Sequence, residues 1–456
     1  MATITIKNVG PIKEVINLEL NKVNIFMGPQ SSGKSTIAKI ISFCAWVEKN
    51  VSLAQSFSFF EKGNNFINDF FVFHKLKDYF RNDSKLEYES DIIKFKYDHQ
   101  NGKPHFEWKN RYDYKRSKIS YIPSERNLVS AIENWFEVRF TENNILNFMK
   151  EWEDARKIYT KGSPLSILGL GVQYYYDEKS GQDFVIVDKK DTTLELTNTS
   201  SGLQSIIPLM VVTEYITLRI YEKGNIKRSV RNEQIEFFIR EKIYDELFKE
   251  NNQKTAFPPE GGQMNIYVDS STPWHIEGIP STPTTIANKK EELQKNHWLR
   301  IFKSEEEQKK FINKTNCFLD AQCTQFIIEE PEQNLFPETQ QELIYYLLEK
   351  LQSEREHRLT ITTHSPYVLY ALNNCMLGYL VKGKMLKDED YTDLKSLKSS
   401  IEPAKVSVWQ ITDEGTISNI QGEDKLIENN YFDACMKEVM DDYYKMINYY
   451  GDEDED

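Results

Sequence analysis

Cysteine is sparse and unpatterned in this sequence. Five occur, Cys44, Cys317, Cys323, Cys375 and Cys435, an odd number with no CxxC pair, which excludes a disulfide framework and a zinc site. That usage predicts a reduced, cytoplasmic setting. No uninterrupted apolar stretch approaches the ~18 residues that span a bilayer. The start Met1-Ala2-Thr3-Ile4-Thr5-Ile6 lacks the basic residues and apolar core of a signal peptide, so no membrane contact is expected. Positive charge is short as well: 57 Lys and Arg stand against 70 Asp and Glu, a net charge of −13. This weighs against extended nonspecific binding to nucleic acid, which needs a cationic surface, and leaves only a local basic groove open. Part of the excess lies in residues 451–456, Gly-Asp-Glu-Asp-Glu-Asp, which read as a solvated tail. Long apolar heptads are missing, so no extended coiled coil is expected.

Aromatic residues are plentiful, 13% of the chain, and its 456 residues suffice for roughly three average domains or one domain with large insertions. The most informative stretch is Gly28-Pro29-Gln30-Ser31-Ser32-Gly33-Lys34-Ser35, which meets every fixed position of the phosphate-loop pattern GxxxxGK[ST]. The apolar run Val23–Met27 before it reads as a buried strand. The run from Thr36 to Val47 reads as a helix, with Ile37, Ile40, Ile41 and Cys44 at helical spacing. Glycines at 28 and 33 let backbone N–H groups turn inward to meet phosphate oxygens at a helix N-terminus. Lys34 is placed for the β- and γ-phosphates and the Ser35 hydroxyl for Mg²⁺, with Thr36 completing the loop.

Alternation predicts strands over residues 3–8 and Val15–Leu20, a β-layer beside the nucleotide. Residues 51–88 are rich in Phe at helical spacing, including Phe59, Phe60, Phe66, Phe70, Phe71 and Phe73. They read as a helical insertion whose aromatics form core. Further strands are expected at Asp91–Tyr97, His105–Trp108 and Lys118–Ile122, the last stopping at Pro123-Ser124-Glu125-Arg126. A second helical insertion is expected over about 127–165. Gln173–Tyr176 and Phe184–Val187 flank a hairpin turn at Lys179-Ser180-Gly181-Gln182, and the strand pattern continues over Thr193–Leu196. Thr199-Ser200-Ser201-Gly202-Leu203-Gln204 then precedes an apolar helix expected from Ser205 to about Tyr221. Residues 223–317 read as an inserted subdomain, with helical ends (Glu222–Asn252 and Lys289–Asn313) and a Pro- and Gly-rich middle at 253–289. Residues 318–450 return to the first unit: a strand Thr324–Ile328, a helix Glu338–Gln352, a strand Leu359–Thr363, a hairpin over Val406–Ile411 and Thr416–Ile420, and a helix from about Phe432 to Tyr450.

Several strands thus end in polar residues: Gly28, Ser124-Glu125-Arg126, Glu329-Glu330 and His364. In a parallel sheet, ligands collect at the carboxyl ends of strands. A nucleotide hydrolase needs an acid past an apolar strand to hold Mg²⁺, a second acid to position and deprotonate the attacking water, and a hydrogen-bond donor at the γ-phosphate. Each piece has a plain alternative. Glu329-Glu330 also suits a solvated strand end, His364 a turn before Pro366, and Ser200 an ordinary helix cap. What favours chemistry is their order behind a phosphate loop.

With these residues in view, the sequence resembles the ABC-type ATPase heads of the OLD and RecF-like families. The resemblance is carried by the strand ending in Glu329-Glu330-Pro331, the D-loop-like Glu332-Gln333-Asn334-Leu335, Thr362-Thr363-His364-Ser365-Pro366, and Ser200-Ser201-Gly202-Leu203-Gln204 as the signature motif. Tyr121-Ile122-Pro123-Ser124-Glu125-Arg126 resembles a loop of these ATPases but has no Gln at its start, which leaves Glu125 and Arg126 without a role. The resemblance implies an α/β ABC-type P-loop head with an N-terminal antiparallel β-layer and helical insertions. It implies ATP and Mg²⁺ as cofactors, Glu329 as the Mg²⁺-site acid, Glu330 as the base and His364 as the γ-phosphate sensor. Ser200, Ser201 and Gly202 of one head would meet the nucleotide of a second copy. The stretch after Pro366 is short and has no acidic DxD cluster following a strand, unlike the Toprim nucleases of the OLD group, and SMC-type arms are missing. The chain is therefore similar to stand-alone ATPase components of bacterial phage-defence systems of the PARIS and Septu types. These sense a phage protein or nucleic acid and act through a separate effector. A RecF-like DNA-binding recombination ATPase is the alternative, and an isolated transporter ATPase subunit a more distant one.

Overall fold

The computed structural model describes residues 2–62, 65–133, 135, 143–188, 192–222, 230–248, 304–385, 394–447 and 449–450. The readings made for 253–289 and for the tail 451–456 fall outside these residues.

The chain opens on two strands, β1 (Ala2–Val9), which buries Ala2, Ile4, Ile6 and Val9, and β2 (Ile12–Leu20), which buries Ile12, Val15 and Leu18. β3 (Val23–Met27) is buried at all five positions, as a central strand covered on both faces must be. Helix α1 (Lys34–Ala54) follows the glycine-rich loop, and burial over most of its circumference marks it as an internal helix. After α2 (Asn65–His74) come β4 (Phe80–Glu89), β5 (Ile93–Asp98), β6 (Pro104–Trp108) and β7 (Ser117–Ile122). The Asn143 side chain accepts from the N–H groups of Ile145 and Leu146 and so starts α3 (Asn144–Arg156).

Short strands β8 (Leu165–Ser166), β9 (Val172–Asp177), β10 (Gln182–Val187) and β11 (Thr192–Glu195) lead to α4 (Ser201–Thr217). The remaining elements are α5 (Val230–Leu247), α6 (Glu305–Leu319), β12 (Cys323–Glu329), α7 (Pro337–Lys350), β13 (Arg358–Thr363) and α8 (Pro366–Met385). β14 (Val406–Ile411), β15 (Ile417–Asn419) and α9 (Tyr431–Ile447) close the described chain.

Three sheets result. The first is antiparallel in the order β2-β1-β4-β5-β6, the second is β11-β10-β9-β8, and the central one runs β15-β14-β3-β13-β12-β7. In the central sheet β14, β3, β13, β12 and β7 are parallel, and only β15 runs against its neighbour. β13 lies between the phosphate-loop strand β3 and β12. The two faces of this sheet bury different cores. Val23, Ile25 and Met27 of β3 face a cluster with residues of α3, α4, α7 and α8, whereas Phe26 joins α1 and the first sheet. The fold class is the expected α/β one, with helical insertions and with α1 sandwiched between an N-terminal antiparallel layer and the main sheet.

Several local expectations change. The stretch 51–88 is helical only in part: α1 runs on to Ala54, a short turn occupies Ser58–Glu61, α2 ends at His74, and residues 80–89 are a strand. Leu86 and Tyr88 are buried while Lys85 is exposed and Glu87 and Glu89 are more open, so period two governs there. Phe60 and Phe66 are indeed core. The second insertion is α3 plus one turn at Leu128–Ala131 among the described residues, not a helix over 127–165. α4 begins at Ser201 rather than Ser205. By length and composition 201–221 would suffice to cross a bilayer, yet 61% of its apolar window is buried within the protein. α8 was not foreseen at all. In α9, by contrast, no residue is buried, and Met436, Val439, Tyr443, Tyr444 and Met446 are exposed. All five cysteines are free.

Candidate active site

The register of the central sheet assembles the site. Met27 pairs with Thr363, Thr362 with Glu329, and Ile328 with Ile122, so the loops that begin at Gly28, Glu330, Pro123 and His364 leave one edge side by side. Two glycines of the phosphate loop are dictated by space as well as by conformation. A Cβ at Gly28 (φ +149°) would lie 2.3 Å from the Ile411 carbonyl oxygen, and one at Gly33 (φ +106°) 2.4 Å from Cδ1 of Ile12. The loop is thus wedged between β14 and the antiparallel layer.

A cleft of about 510 Å³ opens above it, lined by Gln30, Ser31, Gly33, Lys34, Ser35, Thr36, Glu330 and His364. Lys34 is 5% exposed, and its Nζ donates to the carbonyl oxygens of Gly28 (2.9 Å) and Pro29 (2.5 Å). Burial lowers its pKa to about 8, against the pull of Glu330 and Glu332. Ser32 Oγ is buried and has no hydrogen-bond partner.

Glu329 is buried at the tip of β12, and burial raises its carboxyl pKa. Its Oε2 accepts weakly from the Ser124 N–H at 3.5 Å, and its buried Oε1 has no partner. The Lys39 charge and the hydroxyls of Ser35 and Tyr121 near this carboxylate pull its pKa back down against that burial. A buried carboxylate oxygen without a donor, beside a phosphate-loop serine, is the donor set a hard cation takes. Among the described residues no group of three or more His, Cys, Asp or Glu side chains forms a metal cage of its own.

Glu330 is half-buried, and its Oε1 lies 3.5 Å from His364 Nε2. Hydrogen bonding from His364 lowers the Glu330 pKa, helped by the charges of Arg126 and Lys34, so this carboxylate is ionised at neutral pH. Its backbone is left-handed, with φ +44°. The His364 loop is pinned in turn. The His364 N–H donates to Glu332 Oε1 at 2.6 Å, and Ser365 Oγ donates to Gln340 Oε1. Glu332, which the sequence places at the start of a D-loop-like stretch, holds the His364 loop.

Ser200, Ser201 and Gly202 do not line this cleft. They form the N-terminus of α4, where the Ser200 side chain accepts the Leu203 N–H, and Ser200 and Ser201 are exposed. A Cβ on Gly202 would come within 3.0 Å of the Asn334 carbonyl oxygen.

Other residues were missed. Gly10, Pro11, Asp78, Tyr79 and Arg81 form the far wall of the cleft. Gly10 N–H donates to the Tyr79 carbonyl at 2.7 Å, which ties the β1–β2 turn to the start of β4. No sequence pattern marks them, because they meet the phosphate loop only through sheet packing. Arg126 was placed at a polar strand end by the sequence, but without a role. It is fully buried and donates to the carbonyl oxygens of Glu329 and Glu330, both at 2.8 Å. Burial lowers its pKa to about 10, so it stays charged at neutral pH.

No protein-family model matches the sequence, and no curated protein does. Among solved structures, the chain is similar to the SMC head domain from Thermotoga maritima, at 9% identity and a TM-score of 0.35, covering 92% of this chain and 98% of that one. It is also similar to the recombination mediator protein RecF solved with an ATP analogue, at 11% identity and a TM-score of 0.28, covering 91% and 97%. Likenesses this loose carry nothing about function, and the functional reading stands on the cleft itself.

Proposed function

We propose that this chain binds ATP with Mg²⁺ and hydrolyses it. The observation that supports this best is the convergence of Lys34, Ser35, Glu330 and His364 on one cleft, with the unpaired Oε1 of Glu329 beside it. Phosphate oxygens would draw Lys34 Nζ away from the loop carbonyls, while loop N–H groups and the N-terminus of α1 receive the remaining negative charge. Ser35 and Glu329 would hold Mg²⁺, which supplies neutralisation of charge on the β- and γ-phosphates. Glu330, ionised, orients a water in line with the γ-phosphorus and accepts its proton; His364 donates to a γ-oxygen as charge develops there. Products are ADP and phosphate.

The reading extends to a second copy. Ser200 and Ser201 are exposed at a helix N-terminus but absent from their own cleft, which suits an arrangement where two heads face each other and each α4 caps the partner's nucleotide. We further propose that the ATPase is a sensor and scaffold in anti-phage defence that governs a separate effector, a nuclease or toxin. The unburied apolar side chains of α9 suit protein association. The segment 223–317 is proposed as an inserted subdomain between the two parts of the head, 1–222 and 318–450.

The decisive experiment compares two variants. Lys34→Ala should lose ATP binding, whereas Glu330→Gln should bind ATP and fail to turn it over, because an amide cannot accept the water's proton. Equal loss of affinity in both removes Glu330 from the role of base. DNA binding that falls steeply with salt would turn the biological role toward recombination instead.

A further inference from the structure

Arg126 carries a charge with no carboxylate in hydrogen-bonding contact. Its guanidinium is instead surrounded by carbonyl oxygens. Nη1 donates to Glu329 (2.8 Å) and Pro123 (3.3 Å), Nη2 to Glu330 (2.8 Å) and Pro331 (3.4 Å), and Nε to Ser205 (3.3 Å). A planar fork is the group that can serve so many acceptors at fixed angles. Three of those carbonyls belong to the turn that carries Glu330, whose left-handed backbone is a conformation other residues than glycine keep only when their surroundings impose it. From the opposite side the Glu330 N–H donates to the Thr362 carbonyl at 2.9 Å. The peptide units around Glu330 are thus held from both sides.

The remaining contact leads elsewhere. Ser205 lies in the second turn of α4, and α4 contains Pro208. Proline has no N–H, so the carbonyl four residues back, at Gln204, lacks its helical partner. Ser130 Oγ supplies one, donating to Gln204 O at 2.5 Å. Two neighbouring carbonyls of α4 are therefore tied to the segment 124–131, one through Ser130 and one through Arg126, and Arg126 continues to Glu330.

We propose that Arg126 is a positioning residue that couples the N-terminal turns of α4 to the carboxylate of Glu330. Displacement of α4, when Ser200–Gly202 engage a nucleotide held by a second copy, moves the Ser205 carbonyl and with it the guanidinium. Because the same guanidinium holds the Glu330 peptide, the base is brought into line only when α4 is engaged. The cleft binds ATP without Arg126, and hydrolysis waits on it. This deepens the reading of Glu330 as base and rests on it.

The test uses the full chain. Arg126→Lys retains the charge but cannot span the carbonyls. It is expected to bind ATP within about threefold of the parent and to lower kcat at least about tenfold with KM little changed. Ser130→Ala, which cuts the tie to α4 together with a local contact to the Asn127 carbonyl, should lower kcat by a smaller factor with binding unaltered. Each is then combined with Glu330→Gln and measured in single turnover. If Arg126 acts through Glu330, the added substitution costs no further rate; general damage to the fold would cost the same factor in both backgrounds. Parental kcat in Arg126→Lys, or full additivity with Glu330→Gln, overturns the proposal. Should Arg126→Lys fail to fold, Ser130→Ala alone and combined with Glu330→Gln decides it, and unchanged turnover in Ser130→Ala overturns it. If Glu330→Gln itself turns over normally, the assignment of the base has failed, a result distinct from either of these.

Discussion

His364 Nε2 stands 3.5 Å from Glu330 Oε1, across the ends of neighbouring parallel strands. The pairing lowers the pKa of the carboxylate, with hydrogen bonding from His364 as the leading cause. Removing the imidazole in His364→Ala should let that pKa rise. Glu330 must be deprotonated to act as base, so the acidic limb of kcat should move to higher pH. Loss of the donor to the γ-phosphate should cost ~10²-fold in kcat. A kcat–pH profile checks both, and an unmoved limb would separate His364 from Glu330.

Lys34 sets a pH dependence of the opposite sense. Its pKa of about 8 without phosphate must rise when an anion binds, because an opposite charge favours the ammonium. Below pH 8 the lysine is already charged and affinity is flat. Above it, binding requires uptake of a proton, and Kd for ATP should increase by up to about tenfold per pH unit. Calorimetry at pH 9 in buffers of different ionisation enthalpy would show that uptake, and an equal Kd at pH 7 and 9 contradicts it.

A second copy can be tested with Ser201→Glu. Ser201 is exposed in the first turn of α4, where a carboxylate agrees with the helix dipole and leaves the fold intact. The same carboxylate would repel a phosphate presented by another head. Ser201→Glu and Lys34→Ala should each be inactive alone, and a mixed dimer should regain about half the parental activity from its one complete site. An inactive mixed dimer would leave Ser200–Gly202 as a helix cap.

The far wall offers an independent check. Arg81 lines the same cleft as Lys34, and Arg81→Ala should raise the KM for ATP roughly fivefold to thirtyfold, the ~1–2 kcal/mol of one charge-assisted contact, with kcat little altered. An unchanged KM would remove the antiparallel layer from nucleotide binding.

The phosphate loop was legible because its chemistry is contiguous: glycines, a lysine and a hydroxyl within eight residues, between an apolar strand and a helix. The polar ends of β12 and β13 were legible too, because an apolar strand that stops at Glu329 or His364 is visible in one dimension. Residues 80–89 were misread because the Phe-rich stretch before them suggested one continuous helical period. Leu86 and Tyr88 alternating with Lys85, Glu87 and Glu89 were the signal to the contrary. α8 escaped notice because its surface offers little contrast. Tyr370, Leu377 and Leu380 are exposed while Val368, Leu372 and Met376 are buried, so no polar stripe marks its outer face.

The sequence by itself determined the local machinery: which loop has the phosphate-binding pattern, which apolar strand ends in acid, and that an apolar helix follows Ser200-Ser201-Gly202. Tertiary structure decided what those pieces do together. Parallel register brought Gly28, Glu329 and His364 to one edge, although 300 residues lie between the first and the second. Packing of the first sheet against α1 brought Tyr79 and Arg81 into the same cleft as Lys34. Burial turned Arg126, an ordinary arginine in a polar loop, into the centre of five carbonyl contacts. Such roles depend on distances between segments remote in the chain, and periodicity and motif spacing describe only neighbours along it.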